Sequence, residues 1–349
     1  MAKKKSTTSE GYQQLKADIK SGSFHRMYIF YGEEHYLLEH YQRQLKKKLT
    51  DGPAEDFNYH RFTEETWDIG ALSEAAEAIP MMSPSSLIEI IDIDPFSRPE
   101  SERQALTELM SGLPDYCTVV WIFDAVPWKP DKRMKKLWSA ISAAVQVEFV
   151  KQPESQLIPW IRRHLATGQK TISDNVCRYL ILQTGGSMAT LYAELQKLMA
   201  YSDQPEITKS DVDSVVIPVV EAVIFDITKD IGAQNFDGAL GKLRDLLRQE
   251  TEPIAINAII GRQLRQLYGA KVLMEHRKGP YDLMRLYGTW ESAAKELYNQ
   301  AGHFSKRTLR QGMGLSAETD YAMKTSGGGQ AQLLEMMILR LAEDCRRGR

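Results

Sequence analysis

The sequence predicts an α/β domain of P-loop-like type with a parallel five-stranded sheet, followed by two all-helical regions. Three observations carry that prediction. Short apolar runs alternate with helix-period segments over the first 150 residues, the pattern of strands joined by crossover helices in a three-layer domain. The first run, Met27–Tyr31, leads into Gly32 and then into an amphipathic stretch, Tyr36–Leu45, which is the strand–glycine–helix framework of a phosphate-binding loop. From Lys151 onward only helical periodicity remains.

In chain order, Tyr12–Ser21 reads as a short helix stopped by Gly22, and Phe57–Phe62 (FNYHRF) as a second, aromatic-rich strand. Asp68–Ala78 has helical spacing and runs into Ile79-Pro80-Met81-Met82-Ser83-Pro84, where two prolines enforce a non-helical connection. Leu87–Ile91 is the third strand, Gln104–Ser111 a helix closed by Gly112 and Pro114, and Thr118–Phe123 the fourth strand. A basic helix, Lys132–Ser142, precedes the fifth strand, Val145–Val150. Beyond it Leu157–Leu165 is helical, Ser173 and Ser187 stand where N-caps belong, and Gly185-Gly186 stops the helix between them. Thr208-x-x-Asp211 reads as a capping box. After Pro218 the helices lengthen: Val220, Val223, Ile224, Ile227 and Ile231 form one stripe, and Phe236–Leu247 and the segment after Pro253 repeat it. Further helices read at Trp290–Asn299, Ser305–Met313, Ala317–Lys324 and Ala331–Arg346. The expected divisions are 1–150, 151–216 and 217–349.

Composition excludes several classes. With 349 residues and a net charge of −2 there is no global attraction to nucleic acid, so contact with DNA requires a local patch. The three cysteines, Cys117, Cys177 and Cys345, form no CxxC pair, so neither a disulfide framework nor a zinc site is expected and a reducing cytoplasm is the default. No apolar run is long enough to span a bilayer, and Met1–Glu10 has no signal-peptide core; Lys3–Lys5 reads as a disordered tail. The seven histidines show no ligand spacing, so no metal and no cofactor are expected.

The phosphate-loop framework lacks its chemistry. In G-x-x-x-x-G-K-[ST] the lysine reaches phosphate and the hydroxyl holds magnesium. Counting from Gly32, those positions hold Leu37, Leu38 and Glu39, while Glu33 and Glu34 place negative charge where a helix N-terminus would otherwise attract an anion. Both glutamates read as exposed complements of the helix dipole. At the end of the third strand Asp92 is followed by Ile93 rather than a second acid, so the magnesium- and water-handling pair is missing too.

These landmarks, together with YIFYGEEHYLLEH (Tyr28–His40), AIPMMSPSSLIEI (Ala78–Ile90), TVVWIFDAVPWKPDKRMKKLW (Thr118–Trp138), GGSMATLYAELQKLMAYS (Gly185–Ser202), IFDITKDIGAQNFDGALGKLRDLL (Ile224–Leu247), IAINAIIGRQLRQLYGAK (Ile254–Lys271) and DYAMKTSGG (Asp320–Gly328), resemble the delta subunit family of the bacterial DNA polymerase III clamp loader. The series covers nearly the whole chain in the family's order. The resemblance implies an AAA+-type domain without a functional P-loop, a small helical lid, and a helical collar for oligomerisation. It further implies a protein with no catalytic residues of its own, serving a DNA-directed DNA polymerase (nucleotidyltransferase) holoenzyme in DNA replication. Its implied partners are the sliding clamp (beta), the delta-prime and tau/gamma subunits in a five-subunit ring, and primer–template DNA through the assembled loader. No membrane is involved, and the implied location is the bacterial cytoplasm.

In the family a pair of large apolar residues just after a proline inserts into the clamp and helps open it, so that sister ATPases can load it. The pair falls here on Met81 and Met82, flanked by Pro80 and Ser83, where Leu-Phe is the commoner type. Methionine is flexible and polarizable and suits groove binding. The competing expectation is that both methionines pack in their own core, as Ile79 and Leu87 are expected to do. Basic clusters at Lys132–Lys136, Arg262/Arg265, Lys306/Arg307/Arg310 and Arg346–Arg349 read as solvated faces, with Lys306, Arg307 and Lys324 as the candidates for phosphate contact; Ser326 interrupts the family's Lys-Thr-Gly. Two other functions fit parts of the chain: a divergent nucleic-acid-dependent ATPase, or an adaptor acting only through its helical collar.

Overall fold

The computed structural model describes residues 10–50, 55–325 and 329–347; Lys3–Lys5, Ser326 and Arg349 lie outside the described residues. The chain divides into two compact units between Gln152 and Pro153.

In the first unit α1 (Glu10–Ser21) leads to β1 (Met27–Gly32), α2 (His35–Thr50), α3 (Glu55–Asn58) and β2 (Tyr59–Phe62). Then follow α4 (Ile69–Glu77), β3 (Ser86–Ile91), α5 (Glu100–Ser111), β4 (Cys117–Phe123), α6 (Lys135–Ile141) and β5 (Val145–Phe149). The five strands form one all-parallel sheet in the order β2-β3-β4-β1-β5. This is the P-loop-like α/β domain expected. β4 is buried along its whole length and β1 along most of it, which is why both read as continuous apolar runs rather than alternating ones. One face of the sheet carries Met27, Ile29, Ile88, Ile90, Val119 and Trp121 into a core completed by Leu72, Leu106, Met110, Leu137 and Ile141 from α4, α5 and α6. The other face buries Tyr28, Phe30 and Phe149 together with Leu15 of α1 and Leu38 and Leu45 of α2.

The second strand is shorter than the sequence suggested. Phe57 and Asn58 belong to the one-turn helix α3, and pairing with β3 starts only at Tyr59.

In the second unit α7 (Glu154–Thr167), α8 (Asp174–Gln183), α9 (Met188–Tyr201) and α10 (Lys209–Val215) accompany two short strands, β6 (Thr171–Ile172) and β7 (Glu206–Ile207), which pair in parallel. Ser173 caps Val176, Ser187 caps Thr190, and Thr208 and Asp211 complete a reciprocal capping box. Gly185 and Gly186 both take left-handed φ values, and the Gly186 amide returns to Ile181 O at 2.9 Å, ending α8.

Among the described residues seven more helices follow: α11 (Val220–Gly232), α12 (Phe236–Arg248), α13 (Pro253–Glu275), α14 (Pro280–Tyr287), α15 (Glu291–Gly302), α16 (Lys306–Thr325) and α17 (Gln330–Arg347). They bury one core around α13 that includes Ile256, Ile260, Leu264 and Leu267. α14 has no counterpart among the helices expected from the sequence, and α16 spans both Ser305–Met313 and Ala317–Lys324. α16 is continuous, because Gly312 sits directly against Leu264 and Leu341 and that packing outweighs the low helix propensity of the Gly312–Gly314 stretch. Buried polar groups here meet one another: Thr228 Oγ1 donates to Gln300 Oε1 and accepts from Gln263 Nε2, and Asn257 and Ser316 bond each other.

Candidate functional site

In a parallel sheet the strand starts lie along one edge and the strand ends along the other. The first unit has a distinctive loop at each edge, joined by β3, whose six residues span about 20 Å.

The strand-end edge carries the degenerate phosphate loop. Gly32 pairs with Phe149 at φ +133°, and a Cβ there would lie 2.2 Å from the Phe149 carbonyl oxygen, so glycine is retained for close strand approach. Leu37 and Leu38 are buried in the face beneath α2, and Glu39 is exposed. Glu33 is exposed, but Glu34 is not. It is buried to 5% exposure, and burial pushes its carboxyl up to about 6. The expectation of two exposed carboxylates is therefore corrected at Glu34, whose backbone amide also donates to Phe149 O at 3.0 Å. Asp92 takes a left-handed conformation, φ +56°, and its Oδ1 accepts from the backbone amides of Asp124, Ala125 and Val126, each at 2.9 Å. Asp124 in turn pairs with His35, and Glu33 with Lys151. Tyr31, Val126 and Trp128 add apolar surface to the open depression between these groups. The acids at this edge are thus engaged with their own loops.

The strand-start edge carries Pro80–Ser83. α4 ends at Glu77, whose carbonyl accepts from the Tyr116 hydroxyl at 2.9 Å, and the chain then turns outward before re-entering at Ser86 of β3. Met81 is 53% exposed and Met82 83% exposed, so neither packs in the core. Ile79, expected in the core, is 80% exposed, a correction with a plain cause: the helix has already ended and the chain is leaving the domain. Leu87 is fully buried. The apolar side chains stand out from a backbone that is held. The Asn58 amide nitrogen donates to Met81 O at 2.7 Å, and its carbonyl oxygen accepts from Met81 N at 2.8 Å. The Ser85 hydroxyl donates to Leu49 O at 2.9 Å, and Ser83 Oγ lies 3.1 Å from Ser85 O. Met82 itself sits at φ +52°. Behind the loop the buried carboxylate of Glu89 accepts from Tyr59 and Gln42, both at 2.7 Å, tying α2, β2 and β3 together. Asn58 gave no local signal in the sequence, since its partner lies 23 residues away.

The candidate DNA-contacting residues are not brought together. Lys306 and Arg307 begin α16 and Lys324 nearly ends it, roughly 27 Å away at 1.5 Å per residue. Lys306 bonds Glu275 and Lys324 bonds Asp320, both at 2.7 Å, and Arg307 is exposed. Among the described residues no group of three or more metal-ligating side chains occurs, and no helix is long and apolar enough to cross a membrane. Cys117 and Cys177 are buried, which pushes both thiols up to about 11 and makes them poor nucleophiles.

Comparison with known proteins bears on both units. Residues 28–149 match the family model described as DNA polymerase III, delta subunit, and residues 221–341 match that of the DNA polymerase III delta subunit, C-terminal domain. The chain is 29% identical over 330 residues to DNA polymerase III subunit delta of Bacillus subtilis, covering 93% of this chain and 94% of the relative. It is 23% identical over 256 residues to a probable DNA polymerase III subunit delta of Aquifex aeolicus, covering 72% of each. The solved structure of the Bacillus subtilis DNA clamp loader delta protein is similar at a TM-score of 0.59 and 27% identity, over 95% of this chain and 99% of that one.

Proposed function

This chain belongs to the DNA polymerase III delta subunit family, and from that premise we propose that it binds the sliding clamp through Met81 and Met82 and helps open it for loading on primed DNA. The observation that carries the reading is the pair of exposed methionines on a backbone held by Asn58. Large apolar side chains left in water on a hydrogen-bonded loop are a binding device rather than a packing one. Burying each would contribute roughly 1.5–3 kcal/mol, enough for a hot spot. Pro80 stiffens the approach to the pair, and Ser83 closes the turn behind it.

On this reading the protein supplies binding energy and the chemistry belongs to sister subunits. The phosphate-loop positions support this, since Leu37 and Leu38 are turned into the core and Asp92 is engaged by three backbone amides. Residues 1–150 would then be the clamp-binding domain, 151–216 the lid and 217–349 the collar that joins delta-prime and tau/gamma in a five-subunit ring in the bacterial cytoplasm. Primer–template DNA would be met through the assembled loader. Lys306 and Arg307 form one candidate phosphate contact and Lys324, at the far end of α16, a separate one.

The test is binding of the purified chain to its cognate sliding clamp without ATP, for the wild type and for Met81→Ala/Met82→Ala. Loss of about 3 kcal/mol, more than a hundredfold in Kd, is expected. Unchanged affinity would place the clamp contact elsewhere. No wild-type binding at all would favour the adaptor or ATPase function.

A further inference from the structure

A tip that inserts into a partner loses affinity to the extent that its backbone must be ordered on binding. Here the ordering comes from another element. Asn58, the last residue of α3, is 2% exposed, and both ends of its side-chain amide are spent on the main chain of Met81. An amide that satisfies the N–H and the C=O of one residue acts as a neighbouring strand would, fixing that residue in position and orientation. The next residue, Met82, is at φ +52°, which a long unbranched side chain keeps only where the surroundings over-determine it. The Ser85 hydroxyl holds the other side of the turn to Leu49.

We propose that Asn58 is a positioning residue for the clamp-binding tip: it cannot itself reach a partner, yet partner affinity depends on it because it presents Met81 and Met82 in the bound geometry. The inference rests on the clamp-binding reading above. It also gives the one-turn helix α3 a purpose, since α3 places this amide beside the loop.

Two variants separate the roles of the side chain. Asn58→Asp keeps the acceptor for Met81 N–H and removes the donor; Asn58→Leu keeps the branched heavy-atom outline and removes both. Each is measured with the sliding clamp for Kd and dissociation rate, and by hydrogen exchange at the amide of Met81 and at those of Ile88 and Ile90 in β3. Asn58→Leu is expected to weaken binding roughly tenfold, the scale of re-ordering one residue's backbone, chiefly through faster dissociation. Asn58→Asp should weaken binding as well, since one carboxylate oxygen then faces the Met81 carbonyl without a proton to donate. The Met81 amide should exchange faster in Asn58→Leu while the β3 amides stay protected. In a Met82→Ala background the Asn58→Leu effect should shrink, a non-additivity that a merely structural role would not produce.

Unchanged clamp affinity in both Asn58 variants, with Met81→Ala/Met82→Ala still losing affinity, would overturn the proposal and leave the clamp reading standing. Unchanged affinity in Met81→Ala/Met82→Ala would overturn both. Loss of β3 protection in both Asn58 variants would show a global effect and overturn the positioning role.

Discussion

The two edges of the parallel sheet in the first unit treat their polar groups in opposite ways. At the strand-end edge, where α/β proteins ordinarily bind ligands, the side chains are consumed. Asp92 serves three loop amides, His35 pairs with Asp124, Leu37 and Leu38 are in the core, and Glu34 is buried. At the strand-start edge the backbone is consumed instead. Asn58 and Ser83 satisfy the loop's main chain, Ser85 ties the turn to Leu49 O, and Ile79, Met81 and Met82 are left in water. A loop whose side chains are spent internally has little left to offer a ligand, whereas one whose backbone is spent internally presents its side chains at low entropic cost. The two edges are thus told apart by which groups the domain itself has satisfied: side chains at the strand ends, main chain at the strand starts.

If that contrast is correct, substitutions at the first edge fall on stability and those at the second on binding. The largest stability effect should come from Gly32→Ala. Its Cβ would collide with the Phe149 carbonyl at a positive φ, and a loss of about 3 kcal/mol or more is expected in chemical denaturation of the first unit. A cost below about 1 kcal/mol would mean that β5 yields readily and that the edge is not rigid. Asp92→Ala should cost about 2 kcal/mol, because three charge-assisted bonds are lost to amides that water can partly satisfy, and Asp92→Asn should cost less since one acceptor oxygen remains. Equal costs for the two would show that the acceptor is not what matters.

Glu34 sharpens the contrast through pH. Its folded carboxyl titrates near 6, above the ordinary 4.5, so the folded state holds the proton more tightly. The stability it contributes is therefore fully present below about 4.5 and is lost as pH rises through about 6. Glu34→Gln mimics the protonated form and should raise stability by about 1–2 kcal/mol at pH 8 while leaving it nearly unchanged at pH 4. A gain of equal size at both pH values would assign the effect to something other than ionisation. The smallest stability effect belongs to the other edge: Met81→Ala/Met82→Ala, which removes the tip, should shift unfolding by no more than about 0.5 kcal/mol, because both side chains are already exposed.

Much of this was legible in the chain itself. The strands and crossover helices of the first unit, the caps at Ser173, Ser187 and Thr208–Asp211, and the stop at Gly185-Gly186 follow from apolar period and from residues three or four positions apart. The absence of lysine and hydroxyl after Gly32, and the proline-flanked methionines, are equally local. Those signals work because each involves neighbours along the chain.

The remainder depends on which strands lie side by side. The Asn58–Met81 pairing spans 23 residues and the grip of Asp92 on the loop after β4 spans 32 to 34, so both exist only once β2, β3 and β4 are in register. The same holds for Ile79, whose outward course is decided by where α4 stops against Tyr116, and for α16, whose glycine is kept helical by Leu264 and Leu341. Local periodicity says that a residue is apolar or polar. Whether it faces the core, a loop or water is a property of the packed sheet and bundle, because burial and long-range hydrogen bonds are set by elements distant in sequence.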